Sequence, residues 1–119
     1  MSHTVIAAVD DMFFMSKIRA AAESLNVTVR FVRNADVLFS VAIESRPGLI
    51  IVDLQSQKVA PLELAQRLKA DEQLRAIPLL GFYSHVETEL RDQAETAGFD
   101  RILPRSAFSA NLAEILAPS

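Results

Sequence analysis

The sequence predicts an α/β fold: a five-stranded parallel sheet with helices on both faces, built from five successive strand–helix units. Three observations carry this. Leu49-Ile50-Ile51-Val52 is a continuous apolar run behind a Pro47-Gly48 break. Too short for a helix and without alternation, it reads as a strand covered on both faces. Similar runs recur along the chain, separated by stretches with helical periodicity, and the connections are short, which favours parallel strands joined by crossover helices. The 119 residues show no linker, repeat or low-complexity tract, so 1–119 is expected to be a single domain with one well-filled core.

Taken in order, Thr4 to Val9 is a first apolar strand closed by Asp10 and Asp11. Phe14, Ile18, Ala21, Ala22 and Leu25 then mark one helical face, with Asn26 as its stop. Val27 to Val32 alternates with Thr28 and Arg30, the pattern of a strand with a wetter face near a sheet edge. Asn34 is a candidate N-cap for a helix carrying Leu38, Val41 and Ala42 inward and ending before Pro47. After the central strand and a polar loop, Pro61 suits the first turn of a helix burying Leu64, Ala65 and Leu68. Ile77 to Tyr83 is a fourth strand, and Pro78 is tolerated near its start. Val86, Leu90, Ala94 and Ala97 mark a fourth helix, with Gly98 at its left-handed C-cap. Phe99 to Pro104 is a weaker fifth strand, and Phe108, Leu112, Ile115 and Leu116 form one last amphipathic helix.

Composition excludes several function classes. Half the residues are hydrophobic, against disorder. There is no cysteine, hence no disulfide framework or zinc–thiolate site, and two scattered histidines, His3 and His85, make a histidine metal site unpromising. A net charge of −3 without a basic stripe gives no reason to expect direct nucleic-acid binding. No apolar run reaches membrane-spanning length and the N-terminus lacks a signal pattern, so a cytoplasmic protein with no membrane partner is expected.

Chemistry concentrates at the carboxyl ends of the strands, where open α/β sheets meet their ligands. If the first and third strands are neighbours, Asp10, Asp11 and Asp53 converge on one rim. Two carboxylates about 4 Å apart repel by roughly 4 kcal/mol at an effective dielectric near 20. Such a cluster raises its own pKa values or recruits a cation, and hard oxygen donors suit Mg²⁺. A divalent ion beside a carboxylate can neutralise an incoming phosphoryl group, as phosphorylation of an aspartate requires. Simple helix capping by Asp10 and Asp11 is the plainer reading, and the two are compatible.

With those residues in place, the chain resembles a receiver domain of two-component response regulators. The strand ending Val9-Asp10-Asp11 is similar to that family's acidic pair, and Leu49 to Val52 followed by Asp53 is similar to its phosphoacceptor strand; the element order matches from about Val5 to Leu116. The resemblance implies a flavodoxin-like sheet of order 2-1-3-4-5, and a signalling module rather than an enzyme. Asp53 is then the acceptor of phosphate from a histidine kinase or phosphotransfer protein. Asp11 ligates Mg²⁺ directly, Asp10 through water, and the backbone carbonyl of Gln55 joins Asp53 in completing the protein ligands. The fourth helix, fifth strand and fifth helix become the face offered to a separate downstream partner.

Departures from the family pattern fall on the relay. The lysine expected after the fifth strand is Arg105, a planar fork in place of a point charge. The proline after it is Ser106, and Pro104 precedes it instead. The hydroxyl position after the fourth strand falls on Tyr83 by count or on Ser84 by chemistry, and both stay open. The aromatic switch position is Ile102, and the usual Met-Pro is absent from Ser56-Gln57-Lys58. Two functions therefore compete: a phosphorylated receiver with a modified relay, and a phosphorylation-independent pseudo-receiver serving as an interaction module. A flavin protein of the same strand order is a third reading, against which Asp10-Asp11-Met12-Phe13 is a poor phosphate loop.

Other residues carry blander expectations. Met12 and Phe13 are expected to pack on a neighbouring loop, although a docking surface is conceivable. Phe39 and Ile43 lie off the main stripe of their helix. Ser84-His85 does not make a nucleophile and base without a nucleophile elbow. Glu87, Glu89, Arg91, Asp92 and Glu95 form a solvated face of the fourth helix.

Overall fold

A computed structural model describes residues 3–56, 59–84 and 88–117. Gln57, Lys58, His85, Val86 and Glu87 lie outside the described residues, so the expectations placed on them are not addressed. Five parallel strands form one sheet in the order β2-β1-β3-β4-β5. They are β1 (Thr4–Ala8), β2 (Thr28–Phe31), β3 (Leu49–Asp53), β4 (Leu79–Tyr83) and β5 (Arg101–Pro104). The helices are α1 (Met12–Ser24), α2 (Ala35–Ser45), α3 (Pro61–Ala70), α4 (Thr88–Ala97), α5 (Arg105–Ala110) and α6 (Leu112–Leu116).

Strand parity divides the core into two layers. On one face Ile6, Ala8, Ile50, Val52, Leu79 and Tyr83 pack with Leu38, Leu64, Leu68 and Ala94 from α2, α3 and α4. On the other, Val5, Ala7, Leu49, Ile51, Leu80 and Phe82 pack with Phe14, Ile18, Phe108 and Leu116 from α1, α5 and α6. This two-sided cover explains the unbroken apolar runs of β1, β3 and β4. The alternating strand, β2, is indeed at the edge, with Thr28 and Arg30 exposed.

Local chemistry sets the helix limits. Asn34 Oδ1 accepts from Val37 N at 2.8 Å and starts α2. Gly98, at φ 120, ends α4 in a conformation L side chains rarely adopt, and a Cβ there would meet Lys69 Cγ at 2.7 Å. The expected single last helix is instead two short ones. At Asn111 the helical dihedrals lapse (φ −109, ψ 17) and its side-chain amide donates to Ala107 O at 2.9 Å, a local bond that competes with continuous helix.

Met12 and Phe13, expected to pack on a neighbouring loop, instead stand 78% and 67% exposed among the described residues, on the first turn of α1. Phe39 is drawn against the core, with the Arg67 guanidinium 4.1 Å from its ring centroid, while Ile43 stays exposed. No helix among the described residues is long and apolar enough to cross a membrane.

Candidate functional site at the carboxyl rim of the sheet

β1 and β3 are neighbours in register, Ala8 opposite Val52, so the residues after both emerge side by side. Asp53 is the last residue of β3, half-buried, and its Oδ1 accepts from Gln55 N at 2.9 Å. Burial pushes the Asp53 carboxyl above its ordinary pKa; the Gln55 amide opposes this, the Asp10 charge adds to it, Arg105 opposes it and Asp11 adds to it. The charges of Asp10, Asp11 and Arg105 all reach the Asp53 carboxyl.

Asp10 crosses from β1 to the β3–α3 loop: its Oδ2 accepts from Ser56 Oγ at 2.8 Å. Its Oδ1 is buried and has no hydrogen-bond partner among the described residues. A buried acceptor left in that condition costs about 1–3 kcal/mol, and more when charged. Ser56 was not singled out from sequence; the available signal was a small hydroxyl three residues beyond a strand-end carboxylate.

Asp11 behaves differently. Its Oδ1 accepts from Phe13 N at 2.8 Å and from Phe14 N at 3.4 Å, capping α1. Its Oδ2 accepts from Arg105 Nη2 at 2.5 Å. The Arg105 hydrogen bond holds the Asp11 carboxyl below its ordinary pKa; desolvation opposes it, and the Phe13 and Phe14 amides and the Arg105 charge add to the lowering. Asp10, Asp11 and Asp53 thus share the rim with unlike partners: a serine, an arginine and a backbone amide. Among the described residues no three acidic or imidazole groups are arranged to hold a metal as they stand. The oxygens suit a hard cation and Asp10 has one waiting, but Asp11 is engaged on both sides.

Arg105 reaches the site because β5 runs straight into α5 with Pro104 as its N-cap, which sets Arg105 on the first turn. Its guanidinium lies 4.3 Å from the Phe14 ring centroid. Phe14 in turn stacks on Phe82 and Phe108. On the opposite side of the rim, Gln55 Oε1 accepts from both Ser84 N at 2.7 Å and Ser84 Oγ at 2.5 Å. This clasp joins the loops after β3 and β4. Tyr83 is buried in the layer formed with α2, α3 and α4, whereas Ser84 is exposed on the rim.

No family model matches the chain. Over 80 residues it is 32% identical to the polar-differentiation response regulator DivK of Brucella anthropi, covering 67% of this chain and 65% of that protein. Its fold is similar to that of the chemotaxis response regulator CheY4 of Vibrio cholerae (TM-score 0.83, 16% identity, 98% of this chain and 97% of that one). It is equally similar to the receiver domain of the sensor histidine kinase PA1611 of Pseudomonas aeruginosa PAO1, solved with a magnesium ion coordinated in the active site cleft (TM-score 0.83, 20% identity, 98% and 95% covered). The chain is a divergent response-regulator receiver domain. The alignment spans 65% of the DivK protein's length.

Within this receiver, the acidic rim and the positions around it differ in how they are built. The acidic residues sit where the sheet order places them. The surrounding positions have their own partners: Arg105 is tied to Asp11, Ser84 to Gln55, and Ile102 is half-buried against the layer of α2, α3 and α4.

Proposed function

We propose that the chain acts in two-component signalling as a phosphate-accepting receiver over 1–119, with Asp53 as the acceptor. The observation that carries this is the pairing of a half-buried strand-end carboxylate with the unpartnered buried oxygen of Asp10 on the same rim. An Asp53 oxygen attacks the phosphorus of a phosphohistidine on a kinase or phosphotransfer protein. The new P–O bond forms as the P–N bond breaks, and the imidazole leaves with the electron pair. Asp10, Asp53, the Gln55 carbonyl and, once released, Asp11 would hold Mg²⁺, which neutralises charge on the transferring group. Ser84 supplies the hydroxyl of the relay rather than Tyr83, whose side chain is packed in the core. Output passes to a separate partner through the face of α4, β5 and α5. No further catalytic activity is assigned.

The test is incubation with acetyl phosphate and Mg²⁺ followed by intact mass. One phosphoryl adduct mapping to Asp53, and lost with chelator, is expected. An unmodified protein would sink this reading in favour of the phosphorylation-independent module. In the same assay Ser84→Ala is expected to slow adduct formation roughly tenfold or more by removing a donor to the phosphoryl oxygens. Tyr83→Phe is expected to change it little, and the reverse ranking would return the hydroxyl role to Tyr83.

A further inference from the structure

We infer that the Arg105–Asp11 ion pair is a latch on the metal position: guanidinium and divalent cation compete for the same Asp11 oxygen, and metal loading releases Arg105 toward Asp53. This rests on the acceptor reading above and adds a resting state to it.

Both Asp11 oxygens already have partners in the resting structure. Oδ1 is spent on the α1 amides and Oδ2 on Arg105. A cation drawn to the buried, unpartnered Asp10 Oδ1 would meet the positive guanidinium at the next ligand. A divalent ion on Asp11 Oδ2 would sit beside the guanidinium already bound there, and the two positive charges repel each other. The latch can open, because its two side chains are 37% and 42% exposed and water is available to replace the bond.

What holds Arg105 when the latch is open is also built in. Its planar group rests on the Phe14 ring, and that ring is fixed by Phe82 and Phe108 behind it. Loss of the Asp11 bond therefore leaves the guanidinium over the rim instead of freeing it to solvent. An anion arriving on Asp53 is then its next partner. Arginine suits this sequence because one fork can stack on an aromatic face and still present N–H donors at its edge. Metal and phosphoryl group thereby become cooperative ligands: the first removes the competitor that the second needs as a donor.

The experiment measures Mg²⁺ binding to the unphosphorylated full chain by calorimetry, comparing wild type with Arg105→Met, which keeps an apolar stem over Phe14 without the charge. A roughly three- to tenfold gain in affinity is expected in the variant. In the wild type, saturating Mg²⁺ is expected to shift the Arg105 side-chain NMR resonances and to leave those of Arg67 in place. Unchanged or weaker binding by Arg105→Met, or no metal binding by either protein, overturns the latch, as does an Arg105 signal unmoved by Mg²⁺. The acceptor reading fails separately. An adduct on Asp53 with unchanged metal affinity in Arg105→Met removes the latch alone, and tightened metal binding with no adduct removes the acceptor alone.

Discussion

Asp53→Asn is expected to abolish the phosphoryl adduct altogether while making the fold more stable at neutral pH. The amide has no anionic oxygen to attack phosphorus, yet its carbonyl can still accept from Gln55 N, so the loop after β3 keeps its anchor. The stability gain follows from the raised pKa. Burial, together with the Asp10 and Asp11 charges, makes the folded protein hold the Asp53 proton more tightly than the unfolded chain does. At neutral pH the ionised group therefore works against the fold. Below the ordinary carboxylate value of 3.8 both states are protonated and that cost is absent. Thermal unfolding at pH 7 is expected to show a rise of roughly 2–5 °C in Tm for the variant, modest because Asp53 is partly solvated. The rise should fade as the pH falls through the raised pKa and be gone below 3.8. A variant less stable than wild type at pH 7 would mean that Asp53 is a structural ion-pair partner instead. Asp11 runs the other way: its lowered pKa contributes stability above the ordinary value, which is lost as the pH falls.

Phe108→Ala is expected to remove about 3–5 kcal/mol, a large part of the roughly 5–15 kcal/mol a domain of this kind possesses. Phe108 is fully buried in a cluster of three mutually stacked rings, 4.6 Å from Phe82 and 5.6 Å from Phe14 between centroids. Truncation leaves a cavity that α1, β4 and α5 would have to move together to close. Phe108→Leu should cost under about 1.5 kcal/mol if the surroundings repack. Urea unfolding separates the two. Near-equal losses would show that ring stacking, and not the volume filled, is what the site needs. Because Phe14 leans on Phe108 and carries Arg105, the alanine variant is also expected to loosen the site.

Much of the fold was legible because its determinants are local. A strand buried on both faces must be apolar throughout, which marks β1, β3 and β4 as continuous runs. The edge strand β2 shows its wet face as Thr28 and Arg30. Asn34 and Gly98 announce helix ends through bonds and dihedrals that involve only their immediate neighbours. The break at Asn111 was less visible, since Leu112, Ile115 and Leu116 keep helical periodicity across it. The exposure of Met12 and Phe13 could not be read either, because apolar character alone does not say what is available to cover a side chain.

The candidate site divides along the same line. That Asp10, Asp11 and Asp53 share a rim follows from strand ends and chain topology, both written in the order of residue types. The allegiances of those carboxylates are a different matter. Asp11 is claimed by Arg105 across ninety-four positions, and Ser84 by Gln55 across twenty-nine. Tyr83 and Ser84 are told apart by strand parity, which turns one into the core and leaves the other on the edge. Such pairings depend on the angle at which α5 leaves β5 and on which face of α1 presents Phe14. Those quantities come from packing the whole chain at once, and no local window of residues contains them.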